Sequence, residues 1–225
     1  MLRKKQNILG LILMLNFILA AVTQATIDFS FQSGINFPIV SGYEMRNLNA
    51  FSVVFHVNEE TSVSIFRESG KIRGENSYTD NANVKYTIVN EGDSEITGLR
   101  ITHLLPVELI SLSLGLDIGN IQFNTQNIYR RSTGGGDRTD WGLPQDDPLR
   151  GTHPLFGLFL EWKALESEGS QVKTKLTIAL SARMVDLPET FALGARKARL
   201  INQPQIDPIK NFNNISLIVG LKIGF

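Results

Sequence analysis

The last eleven residues constrain this chain more than any other stretch. From Ile215 to Phe225 every odd position is apolar (Ile215, Leu217, Val219, Leu221, Ile223, Phe225), and the even positions are Ser216, Ile218, Gly220, Lys222 and Gly224. Successive side chains of a strand point to opposite faces, so this segment is a strand with one wholly apolar face and one face of mostly small and polar residues. A helix would scatter the same residues around its circumference. The length also matches the roughly 9 to 11 residues that a tilted strand needs to cross a bilayer.

The same rhythm recurs upstream. Ile27, Phe29 and Phe31 alternate with Asp28, Ser30 and Gln32; Phe51, Val53, Phe55 and Val57 with Ser52, Val54 and His56; Val63 and Ile65 with Ser62 and Ser64. Further on, Leu99, Ile101, His103 and Leu105 oppose Arg100, Thr102 and Leu104. Leu112, Leu114, Leu116 and Ile118 alternate with Ser113, Gly115, Asp117 and Gly119. Phe156, Leu158, Leu160 and Trp162 alternate with Gly157, Phe159, Glu161 and Lys163. Thr174, Leu176, Ile178 and Leu180 alternate with Lys173, Lys175, Thr177 and Ala179. These patterns predict eight strands over 27–37, 49–57, 63–72, 95–105, 110–121, 155–163, 172–184 and 215–225. A further strand over Val84 to Val89, with Glu91 to Ser94 as its hairpin, is the alternative and raises the number to ten.

Composition decides what kind of β protein this is. Hydrophobic residues make up 42% of the chain, and no stretch is continuously apolar over the ~18 residues of a membrane helix, the run from 8 to 22 being short of that and interrupted by Gly10 and Asn16. That excludes a multi-helix membrane protein, but not a membrane barrel, in which lipid-facing and lumen-facing residues average out along each strand. There is no cysteine, so disulfides, thiol catalysis and a lipid-anchoring thioether are excluded. Lys+Arg and Asp+Glu are both 22, and without Arg3, Lys4 and Lys5 the balance is 19 against 22. A slightly acidic chain lacks the electrostatic footprint of a nucleic-acid binder. Residues 1–25 read as a secretory signal: the three basic residues, an apolar run from Ile8 to Val22, then Thr23 and Ala25 before a cut that leaves 26–225.

Gly220, Leu221, Ile223 and Phe225 resemble the C-terminal insertion signal of bacterial outer-membrane barrel proteins, which end on an aromatic after alternating apolar residues. With the export signal and the strand rhythm, the chain resembles the small outer-membrane β-barrels: all-β, closed, antiparallel and up-and-down. The resemblance implies contact with outer-membrane lipids, and help from periplasmic chaperones and the barrel assembly machinery during insertion. It implies short periplasmic turns at 58–62, 106–109 and 164–171, and long outer loops at 38–48, 73–94, 122–154 and 185–214. Phe37, Phe51, Phe123 and Phe156 are then expected at the outer interface, and Phe55, Trp162 and Phe225 at the inner one.

Eight strands enclose a bore that side chains can fill. The charges expected inside are Asp28, Arg100, Asp117, Glu161, Lys173, Lys175, Arg183 and Lys222, both signs, so that they pair as a plug or gate a narrow path for ions or small solutes. The third loop is the most distinctive outer segment. Arg130, Arg131, Asp137, Arg138, Asp140 and Trp141 surround three glycines there, which suits contact with an extracellular partner. No phosphate-loop ending follows the glycines, and the spacing of Asp137, Asp140, Asp146 and Asp147 matches no calcium loop, so no cofactor or metal is expected. Small outer-membrane barrels include lipid-modifying hydrolases, and a Ser/His/Asp set such as Ser132 with His153 and Asp147 can be drawn from the loops. No motif spacing supports it, and a non-enzymatic role is expected.

Overall fold

The structure is a computed structural model that describes residues 26–40, 42–79, 83–107, 110–133, 148–168, 172–187 and 211–224. Eight strands follow one another: β1 (Ile27–Pro38), β2 (Tyr43–His56), β3 (Thr61–Thr79), β4 (Lys85–Leu105), β5 (Leu112–Arg131), β6 (Arg150–Glu168), β7 (Lys173–Val185) and β8 (Asn214–Gly224). Each pairs antiparallel with the next, and β8 pairs with β1, closing the barrel. Closure satisfies both edges of every strand, which is the condition for a sheet to enter lipid.

The register defines the barrel's proportions. Ile27 pairs with Phe55, and the line continues through Val63, Ile101, Leu116, Leu158, Ala182 and Ile215 back to β1 at Phe37. One circuit therefore shifts the register by 37 − 27 = 10 residues. With strands ~4.8 Å apart and ~3.3 Å of rise per residue, that shear tilts eight strands by about 41°, and each residue climbs about 2.5 Å along the axis. Both described ends of the chain, Thr26 and Gly224, lie at the same end of the barrel, called here the terminal end.

Strand number and inward–outward parity agree with the sequence reading, whereas strand extent does not. β3, β4, β5 and β6 run well into the expected loops 73–94 and 122–154. Glu91 to Ser94 is no hairpin but the middle of β4, with Gly92 paired to Ile72 on one side and to Thr125 on the other, so the ten-strand alternative falls. At the terminal end β6 continues to Glu168 through a register shift between Lys163 and Leu165, beyond the start of the expected turn at Ala164. The 58–62 turn is a local device: the Asn58 side-chain oxygen accepts the backbone N–H groups of Glu60 (3.0 Å) and Thr61 (2.7 Å).

One physical change explains the missed extensions. On β5 the even residues Leu114, Leu116 and Ile118 point outward and are 44%, 43% and 57% exposed, while Asp117 points inward and is buried. Past Gly119 the pattern inverts: Asn120, Gln122, Asn124 and Gln126 point outward, and Ile121, Phe123 and Tyr129 are buried inside. β4 inverts between Leu99 and Ile96, β7 between Met184 and Val185, and the chain inverts between Phe212, just before β8, and Ile215 on it. The terminal half of the barrel is polar inside and apolar outside, and the far half is the reverse. Phe123, expected on the outer girdle, is therefore 1% exposed and inside. Phe37, Phe51, Phe156 and Trp162 do face outward.

Candidate functional site

The bore has three levels, each built from inward positions of known parity. At the terminal end lies a small vestibule of about 150 Å³, lined among others by Asp28, His56, Glu161, Lys175, Thr177 and Lys222. Asp28 on β1 meets His56 Nε2 on β2 (2.9 Å) and Lys175 Nζ on β7 (3.2 Å). Lys222 on β8 donates to Glu161 on β6. These contacts join β1 to its neighbour β2 and, past β8, to β7 through one carboxylate, and β6 to β8 through another.

Four fully buried ionic groups close the waist. Arg183 on β7 forms a two-pronged pair with Glu68 on β3, through Nη1 to Oε2 (2.6 Å) and Nη2 to Oε1 (2.5 Å), and it also reaches Asp117 on β5 (3.0 Å). Arg100 on β4 takes the other side of Asp117 with a second two-pronged pair, 2.6 and 2.9 Å, and lies 3.5 Å from Glu68. Two cations and two anions thus cancel within one cluster, and each planar guanidinium meets a carboxylate fork to fork. Phe66 and Phe159 cover it: the Arg100 guanidinium lies 3.4 Å from the Phe159 ring centre and 4.7 Å from that of Phe66. Space for the Phe66 ring comes from Gly98, where a Cβ would come within 3.0 Å of it.

Above the waist the bore is filled by apolar side chains, among them Ile72, Ile88, Ile96, Ile121, Phe123 and Phe212. Phe123 and Phe212 meet edge to face at 5.2 Å, and Tyr43 packs on Phe212 at 5.6 Å. The outer wall at this level is polar, and its ion pairs are exposed: Arg67 with Glu95 (2.8 Å), Lys71 with Asp93 (2.5 Å) and Arg73 with Glu75 (3.2 Å).

Asp28, Arg100, Asp117, Glu161, Lys175, Arg183 and Lys222 all lie within the bore, whereas Lys173 stands exposed at its terminal rim. Glu68 is the functional residue the sequence reading passed over. It continues the inward parity of Ser62 and Ser64, but between Arg67 and Ser69 no apolar neighbour marks the outward face. His153, expected in the third loop, sits on β6 with its ring buried 5.8 Å from Phe123. Its pairing partner Ile121 precedes Ser132 by eleven residues of β5, roughly 35 Å of strand, so no Ser132–His153 contact exists. The Ser132 hydroxyl accepts the Lys85 N–H instead. Asp147, the insertion residue Phe225, the loop residues Asp137, Arg138, Asp140 and Trp141, and the leader 1–25 lie outside the described residues. Gly220 faces the bore and Leu221 faces outward. Arg130 and Arg131 end β5 with exposed side chains.

Closure by eight antiparallel strands, a shear of 10 and an apolar belt around a polar bore define a small barrel of the outer-membrane type. No family model and no curated protein sequence matches the chain. Among solved structures, it is similar to the surface protein A of Neisseria, with 9% identity, 89% of this chain and 97% of that one covered, and a TM-score of 0.38. It is similar also to the N-terminal β-barrel domain of Pseudomonas aeruginosa OprF, with 9% identity, coverage of 90% and 100%, and a TM-score of 0.35. A third is Ail, the attachment invasion locus protein of Yersinia pestis, with 10% identity, coverage of 89% and 97%, and a TM-score of 0.35.

Proposed function

We propose that the chain is an integral outer-membrane barrel, exported by a cleaved leader (1–25) and folded over 26–225, that acts without catalysis. Its outward polar sheet and far-end loops are the contact surface for extracellular partners. The observation that carries this reading is the sealed bore: the buried cluster of Glu68, Arg100, Asp117 and Arg183 lies beneath an apolar core, which opposes passage of hydrated ions. The far end then faces outward and the terminal end faces the periplasm, with Gly220, Leu221, Ile223 and Phe225 read by the assembly machinery. The His56–Asp28 pair resembles the base half of a general-base arrangement, but the nearby Ser62 hydroxyl is engaged with Thr102 at 2.6 Å; His103, 3.1 Å from the Thr61 hydroxyl and 3.9 Å from Glu60, stands exposed on the outer wall.

The test is planar-bilayer recording of refolded 26–225. A silent bilayer is expected. Discrete conductance steps that vanish on neutralising Lys175 or Glu161 would instead make the protein a channel. In cells, deleting Phe225 should cut insertion while leaving export intact, and equal membrane yield would refute the insertion role.

A further inference from the structure

The apolar belt is level at the terminal end and slanted at the other. Each strand-to-strand step along the pairing line climbs about 1.25 residues, since a shear of 10 is shared among eight strands. On this scale Phe37 of β1 and Met184 of β7, 53% and 56% exposed, carry the belt about 25 Å above Ile27. On β3 and β4 the last outward apolar residues are Ile65 and Leu99, and Arg67 and Thr97 replace them about 15 to 20 Å above the same level. The outer edge therefore drops by roughly 10 Å across the barrel, a mismatch that the surrounding bilayer must absorb.

The surface above the short side is charged in columns. β3 presents Arg67, Lys71 and Arg73 outward, and β4 presents Glu95, Asp93 and Glu91 beside them. A bulge between Arg46 and Asn49, with Asn47 at φ 56°, parts β2 from β3 here. Two contiguous grooves of about 400 and 540 Å³ result, and both are lined by Asn47 and Lys71. Arg67–Glu95 and Lys71–Asp93 span the columns and Arg73 pairs with Glu75 along β3; all three pairs are exposed, so each stabilises by little and its cation can exchange an internal carboxylate for an external anion.

We propose that the β2–β4 side seats phosphorylated lipid headgroups of the outer leaflet, with Arg67, Lys71 and Arg73 as phosphate partners. At the same height on the β7–β1 side, acyl chains still run. Continuity with the belt specifies the occupant: an acyl chain packed on Phe51, Ile65 and Leu99 ends where Arg67 begins, and its headgroup meets the basic column. The neighbouring acidic column suits the counter-cations that accompany closely packed phosphates. This rests on the membrane reading above and names the lipid-facing side that reads headgroups.

The absence of native cysteine makes single-cysteine spin labelling clean. Thr97→Cys and Ile215→Cys lie at about the same height on opposite sides of the full barrel, reconstituted in phosphatidylcholine vesicles with and without a bis-phosphorylated glycolipid. The Ile215 label should relax with dissolved oxygen, and the Thr97 label with a water-soluble nickel complex. If both labels are lipid-immersed, the headgroup proposal is wrong while the membrane reading stands; if neither is, the membrane reading itself fails. The triple variant Arg67→Gln, Lys71→Gln, Arg73→Gln should bind the bis-phosphorylated glycolipid roughly tenfold more weakly. Its heat-modifiable gel migration should stay unchanged, which certifies that the barrel folds. Unaltered glycolipid binding by the folded triple variant would overturn the proposal.

Discussion

Leu116 with Asp117, and Gln122 with Phe123, stand six residues apart on one continuous strand, yet they solve opposite problems. Leu116 is exposed and Asp117 is buried in an ion cluster; Gln122 is exposed and Phe123 is buried in an apolar core. The backbone ladder runs through both without interruption, pairing with β4 along its whole length. What changes is the solvent outside. In lipid, apolar side chains gain nothing by turning inward and polar ones must, whereas in water the hydrophobic effect reverses both choices. The two halves are one sheet with two cores.

The largest test of this contrast is in the waist. Glu68→Leu leaves Arg183 with only a share of Asp117 and should cost about 3 to 5 kcal/mol, read from equilibrium urea unfolding of the refolded barrel. Replacing all four residues of the cluster by apolar ones of similar size should return most of that stability. If it does not, the ion cluster contributes specificity that packing cannot replace.

Phe123→Ala should cost about 3 kcal/mol or more through the cavity it leaves. Hydrogen exchange should quicken in the far halves of β4 and β5, while amides near Leu114 and Leu116 stay protected. Uniform loss of protection would show that the two cores unfold as one unit, which would break the comparison.

A matched pair on the outward face of β5 sharpens it. Leu116→Lys should destabilise the inserted barrel by about 2 to 4 kcal/mol, and Gln122→Lys should stay within about 0.5 kcal/mol. Equal costs, measured by folding into vesicles, would remove the proposed solvent boundary between them. Smallest of all, Lys163→Ala at the terminal rim removes only the partly exposed pair with Glu166 and should shift stability by no more than about 1 kcal/mol.

The legible part of the bore follows the same boundary. Arg100, Asp117, Glu161 and Arg183 were readable as inward because each sits between outward apolar residues such as Leu99 and Ile101 or Leu116 and Ile118. Glu68 lies in Arg67-Glu68-Ser69, where the outward neighbours are already polar and nothing local marks its face. His153 was read as loop for a related reason: Thr152 and Pro154 flank it where β6 has left the apolar belt.

Alternation of apolar and polar residues pointed to eight strands, with ten as the alternative, and marked the bore-facing side chains where the outward neighbours are apolar, because a strand's period of two is local and lipid enforces it residue by residue. Which charges meet across the bore was decided only by closure. Glu68 and Arg183 are 115 residues apart and on strands that are not neighbours in the sheet, so their two-pronged pair exists only once the bore has brought β3 and β7 face to face. The upper limit of the belt was likewise tertiary, since the same polar outward residue reads as a turn in one dimension and as a water-facing wall once the barrel stands on both sides of it.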